Sequence, residues 1–101
     1  MEFRIEQSLF EAVDDYGTVV GRLEFRDEGG AVALTHTYVP RDYSARRIGS
    51  ALVGYALAHA RDQGWKVLPY CSFIAHFIDT HPEFVQLVPE DRLAEFGLNH
   101  E

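Results

Sequence analysis

The sequence predicts a mixed α+β domain: an antiparallel meander leads into one strand, helix, strand unit, and short helices follow. Three observations predict it. The first forty residues hold short strand-like runs punctuated by turn residues, the apolar spacing then changes from two to that of a helix, and a glycine stop returns the chain to an extended run. In order, Phe3 to Glu6 and Leu9 to Val13 are the opening strands, Asp14 to Gly17 (DDYG) is a turn, Thr18 to Phe25 is a third strand, and RDEGG is the next turn. Ala31 to Val39 alternates, which predicts Val32, Leu34, His36 and Tyr38 on one face and Ala33, Thr35, Thr37 and Val39 on the other. Pro40, having no N–H to give to a ladder, ends that strand.

From Ile48 onward, Ile48, Ala51, Leu52, Tyr55, Ala56 and His59 recur at spacings of three and four, and Val53, Leu57 and Ala60 broaden the stripe. So wide an apolar face needs a sheet beneath it. Gly64 supplies a left-handed stop, and Trp65 to Phe73 reads as the next strand. Two strands joined through a crossover helix are expected to be parallel, with a right-handed connection. Ile74 to His81 suggests a short helix ahead of Pro82, and Pro89 to Gly97 another with proline near its start.

A chain of 101 residues has room for one hydrophobic core, so a single domain over residues 1–101 is expected. With 47% hydrophobic and 25% charged residues, the composition is that of a folded globular protein. Sixteen acidic against nine basic residues, a net charge of −7, argue against a surface for nucleic acid. No apolar run is long enough to cross a membrane and the charged start is unlike a signal peptide, so a cytoplasmic protein is expected, as a monomer or weak homodimer. The lone Cys71 cannot form an internal disulfide and suits a reducing compartment. Besides His36, the histidines are His59, His76, His81 and His100. None of these five has compact metal-ligand spacing with another, so no metal is expected.

Against this acidic background, Arg41, Arg46 and Arg47 place three of the nine cations within seven residues, just before the predicted helix. A helix start gathers unpaired N–H groups and the positive end of the helix dipole, so a strand, loop and helix in that order make a seat for phosphate. The residues alone also allow a plainer arrangement, in which Ser44 caps the helix and the two adjacent arginines face solvent.

A strand ending HTYVP, a short loop, a helix opening IGSALV, a strand KVLPYCSF and then HPEF occur in this order. Together they resemble the small, minimal-domain subfamily of the GNAT acyltransferase superfamily, from about Phe10 to Val88. The resemblance implies a sheet split open between the two strands of the strand, helix, strand unit, with acetyl-CoA in the V and its pyrophosphate at the helix start. It implies N-acetyl transfer to an unidentified amine, the net charge favouring a cationic one. The other reading it allows is a module that binds CoA without turnover. Carried onto this sequence, it assigns Tyr38 and Val39 to the pantetheine arm, and Arg46, Arg47, Ile48, Gly49 and Ser50 to the pyrophosphate.

The resemblance implies a pyrophosphate loop over Ser44 to Gly49. In the register that IGSAL fixes, only Gly49 of the family's glycines remains and Arg47 stands where the central glycine is usual, while a second register reads Arg46, Gly49 and Ala51 as the motif. An arginine in such a loop either takes a costly backbone conformation or keeps its side chain aside. Its guanidinium could also replace backbone contacts by binding phosphate oxygens in pairs.

Acyl transfer from a thioester needs a deprotonated amine, a stabilised oxyanion and a proton for the departing thiolate. The resemblance points to His36 as the base and Cys71 as a transient acyl acceptor or proton donor. Read from the residues alone, His36 is equally a core histidine alternating with Val32 and Leu34, and Cys71 a small buried hydrophobe. Where larger relatives carry a tyrosine that protonates the thiolate, this chain has Phe77, which has no hydroxyl.

Overall fold

In the computed structural model, residues 1–40 and 45–98 are described, with Ala45 and Arg46 described in their backbone only. Arg41, Ser44, His100 and the Arg46 side chain therefore lie outside the described residues. Among the described residues, five strands form one sheet in the order β1-β2-β3-β4-β5: β1 Glu2–Glu6, β2 Leu9–Val13, β3 Val19–Asp27, β4 Val32–Tyr38 and β5 Val67–Pro69. The first four are antiparallel neighbours, and β5 runs parallel to β4 after the helix α1, Ala45–Gln63. Mixed α+β architecture with a strand, helix, strand unit is thus as the sequence predicts.

Local chemistry explains the turns. Asp14 Oδ1 accepts the N–H groups of Tyr16 and Thr18, each at 2.9 Å, and Gly17 takes the left-handed conformation, with φ of 82°, that closes the hairpin. At the end of α1, Gly64 has φ of 73°, and the Trp65 N–H donates to the Ala60 carbonyl at 2.8 Å, the bond that seals a helix ending in glycine.

Helix α1 covers one face of the sheet. Ile48, Leu52, Val53, Ala56, Leu57 and Ala60 are buried in one core with Phe10, Leu23, Val32 and Leu34. At its far end, rings interlock: Phe3 stacks on Tyr55 with centroids 5.0 Å apart, and His59 meets Trp65 edge-on at 5.1 Å. His59 is accordingly a half-buried histidine packed among aromatic rings. Across the opposite face, Arg4, Glu11, Arg22 and Tyr38 lie side by side on β1 to β4. Glu11 is the buried charge there, receiving Arg4 at 2.9 Å and lying 3.8 Å from Arg22.

Three boundaries differ from the sequence reading. Strand β5 ends at Pro69 rather than Phe73, because proline has no N–H for the ladder and the Tyr70 N–H turns back to the Leu68 carbonyl at 3.0 Å. Helix α2, Ser72–Thr80, starts two residues earlier than Ile74, with Cys71 as its N-cap. The segment after it is built of short 3₁₀ turns at Pro82–Leu87, Glu90–Arg92 and Ala94–Phe96, not the single helix expected from Pro89. No helix among the described residues is long and apolar enough to cross a membrane.

Candidate active site at the split in the sheet

Strands β4 and β5 pair only at Val32 with Val67, Ala33 with Leu68 and Leu34 with Pro69. Beyond that point the Cys71 N–H still reaches the Leu34 carbonyl at 3.3 Å, but the stretch of β4 from Thr35 to Tyr38 has no β5 residue in register with it. The sheet therefore opens here. An open strand edge presents alternate N–H and C=O groups ready to pair with an extended ligand.

A β-bulge sits at the opening. Glu24 faces His36 while its neighbour Phe25 faces Leu34, so Thr35 is an extra residue on β4. One extra residue inverts the alternation that follows it. The expectation that His36 and Tyr38 share a face with Val32 and Leu34 is thereby corrected. Thr37, opposite the buried Leu23, faces the helix side, and Val39 lies 3.6 Å from where a Cβ on Gly21 would be. His36 and Tyr38 turn to the other face, where both are exposed. His36 is thus no core histidine.

Cys71 comes to the opening from the other strand. Its carbonyl accepts the N–H groups of Ile74 and Ala75, each at 3.0 Å, which makes it the first residue of the α2 cap, and its thiol donates to Thr37 Oγ1 at 3.7 Å. Neither this contact nor the bulge behind it is visible to a strict two-residue alternation, and for that reason sequence reasoning missed Thr37.

The start of α1 closes the third side. Arg46, Arg47, Ile48, Gly49 and Ser50 all belong to the helix, so the expected loop over Ser44 to Gly49 is helical from Ala45 onward. Arg47 carries no backbone strain in that conformation and its side chain is exposed. The N–H groups at this helix start have no partner within the helix, and no acidic residue occupies the first turn to oppose an anion. Gly49 meets α2: a Cβ there would lie 3.1 Å from the Phe73 ring. The first turns of α1 and α2 are therefore adjacent, and α2 likewise has no acidic residue in its first turn. Between the helices lies a cleft of about 360 Å³ lined by Ser50, Phe73, His76, Phe77, Thr80 and His81. Two larger hollows, of about 380 and 450 Å³, are lined by neither Cys71, Thr37 nor the start of α1, so size alone does not mark the site.

Residues 9–88 match the family model described as GCN5-related N-acetyl-transferase. The chain belongs to the GCN5-related N-acetyltransferase family. The match covers β2 through the first 3₁₀ segment, and so includes the bulge, the opening and both helix starts. Members of this family generally use acetyl-CoA as the acetyl donor. Among solved structures, the fold is similar to the NMR solution structure of a GCN5-like N-acetyltransferase candidate from Staphylococcus aureus. The two are 20% identical with a TM-score of 0.68, and 87% of each chain is covered, a likeness that shows the fold. No curated protein matches the chain.

Proposed function

We propose that this member of the family is an acetyl-CoA-dependent N-acetyltransferase working at the opening between β4 and β5. The observation that carries the reading is the convergence on that opening of an unpaired strand edge, the Cys71 thiol and the first turn of α1. In this reading the pyrophosphate rests on the N–H groups at the start of α1, with Arg46 and Arg47 as flanking cations, and Ile48, Gly49 and Ser50 as its backbone seat. The pantetheine arm pairs its amides with the open edge near Tyr38 and Val39, as a strand would. This brings the thioester toward Cys71.

The Cys71 sulfur, as thiolate, attacks the acetyl carbonyl carbon. The bond to the CoA sulfur breaks, and CoA leaves carrying the proton that the cysteine gave up. A neutral amine then attacks the acetyl-cysteine, the carbon–sulfur bond to Cys71 breaks, and the amine proton passes to His36, which is exposed on the unpaired stretch of β4 beside the opening. The acceptor is an amine, its cationic form drawn by the net charge of −7.

Acetyl-CoA incubation followed by peptide mass mapping tests this. An acetyl group on Cys71, discharged by added amine, supports the two-step route. Full turnover in Cys71→Ala removes Cys71 from the mechanism. A second reading, CoA binding without turnover, is favoured by Phe77, whose ring stacks on His81 at 3.9 Å and offers no hydroxyl. Binding with no acetyl-CoA consumption across many amines would select it.

A further inference from the structure

We infer that Thr37 is a positioning residue that holds the Cys71 sulfur over the opening. The inference rests on the acetyltransfer reading for its role in turnover, whereas the contact itself does not depend on it. The backbone on both sides of Cys71 is already fixed: its N–H donates to Leu34 and its carbonyl accepts from Ile74 and Ala75. What remains free is rotation of the thiol about the Cα–Cβ bond. Cys71 makes no side-chain cap bond to its own helix, so the sulfur is not tied to the start of α2. Its partner is the Thr37 hydroxyl at 3.7 Å, on the strand across the gap.

Thr37 reaches the sulfur only because of the bulge. Without the extra residue at Thr35, the alternation would turn position 37 away from the face that Leu34 shares with the helices. A hydroxyl also suits both states of the cysteine. It accepts the S–H of the resting thiol, and after rotation donates its own hydrogen to the thiolate, a stronger, charge-assisted bond. A methyl group in its place can do neither. Thr37 thus fixes the direction from which the sulfur meets a thioester, and acts on the reaction through Cys71.

The test compares Thr37→Val, which keeps the shape and removes the hydroxyl, with Thr37→Ser, which keeps the hydroxyl. Alkylation of Cys71 by iodoacetamide near neutral pH is followed by mass, and acetyl-CoA turnover is measured alongside. Thr37→Val is expected to alkylate about fivefold more slowly, the factor that loss of one ordinary hydrogen bond gives. It should also lower kcat with KM for acetyl-CoA unchanged, while Thr37→Ser stays close to the parent in both assays. Thr37→Ala serves in the same comparison if the valine variant does not fold. Alkylation of Thr37→Val at the parent rate, or equal slowing in Thr37→Ser, overturns the inference. Absence of turnover in the parent protein would instead count against the acetyltransfer reading, leaving the alkylation comparison to decide the role of Thr37.

Discussion

A Cβ built on Gly49 would stand 3.1 Å from Cζ and 3.2 Å from Cε2 of Phe73, so this glycine near the start of α1 lets the Phe73 ring of α2 pack close against the helix. In the family's phosphate motif a glycine is valued for letting backbone approach the ligand. Here the same residue also sets how near the two helices stand, and with them the width of the cleft between Ser50 and Phe77.

Gly49→Ala is expected to change stability by less than about 1 kcal/mol. The roughly 1 kcal/mol gained by replacing glycine inside a helix offsets the displacement of a half-buried ring. Gly21→Ala should be worse, by about 1 to 3 kcal/mol, because its Cβ would meet Ile48 at 3.2 Å and the fully buried Leu52 at 3.3 Å, neither of which has room to move. Urea unfolding of the two variants checks the order.

Replacing Arg46 and Arg47 together by alanine should weaken CoA binding about tenfold at low salt, roughly 1.4 kcal/mol, and by less at high salt because exposed charges are screened. Calorimetric titration at two ionic strengths measures it, and an unchanged affinity would remove both side chains from the site.

Glu11 is the buried carboxylate of the open sheet face, held between Arg4 and Arg22, whose own side chains are each 49% exposed. Glu11→Gln should cost about 1 kcal/mol, below the 3 to 5 kcal/mol of a fully buried pair, since both arginines are left in contact with water. Chemical denaturation reads this directly, and acetyl transfer should be unaffected.

The exposed Arg92–Glu95 pair gives a small pH dependence of known sign. Hydrogen bonding to Arg92 holds the Glu95 carboxyl below its usual range. A carboxyl depressed in the folded state stabilises the fold above its unfolded pKa of about 4.3, and loses that contribution as pH falls through the folded value. Thermal midpoints of the parent and Glu95→Gln should therefore differ most near neutrality and converge in acid. A difference that grew toward low pH would contradict the assignment.

Much of this fold was legible because it is written in local chemistry. The turn at Asp14 to Gly17, the stop at Gly64 and, apart from the exposed Ala51, the wide apolar stripe of α1 each act within a few residues, and each stands where the pattern predicts. What escaped was set by pairing between distant segments. The bulge at Thr35 exists because β3 and β4 meet out of step, and the early end of β5 follows from Pro69 together with the turn of Tyr70 toward Leu68. At the site, Cys71 and the start of α1 were visible as residue types in order, but Thr37 was not, since only the bulge turns it inward. His36 was placed on the correct strand and assigned the wrong face for the same reason.

The central claim is that the opening between β4 and β5 takes a CoA thioester, and isothermal titration of the protein with CoA and acetyl-CoA at moderate salt tests it most directly. Saturable one-to-one binding in the micromolar range, about −8 kcal/mol, is expected. Absence of detectable heat at millimolar ligand would contradict it, and would mean that a helix start with arginine in place of glycine no longer seats the pyrophosphate.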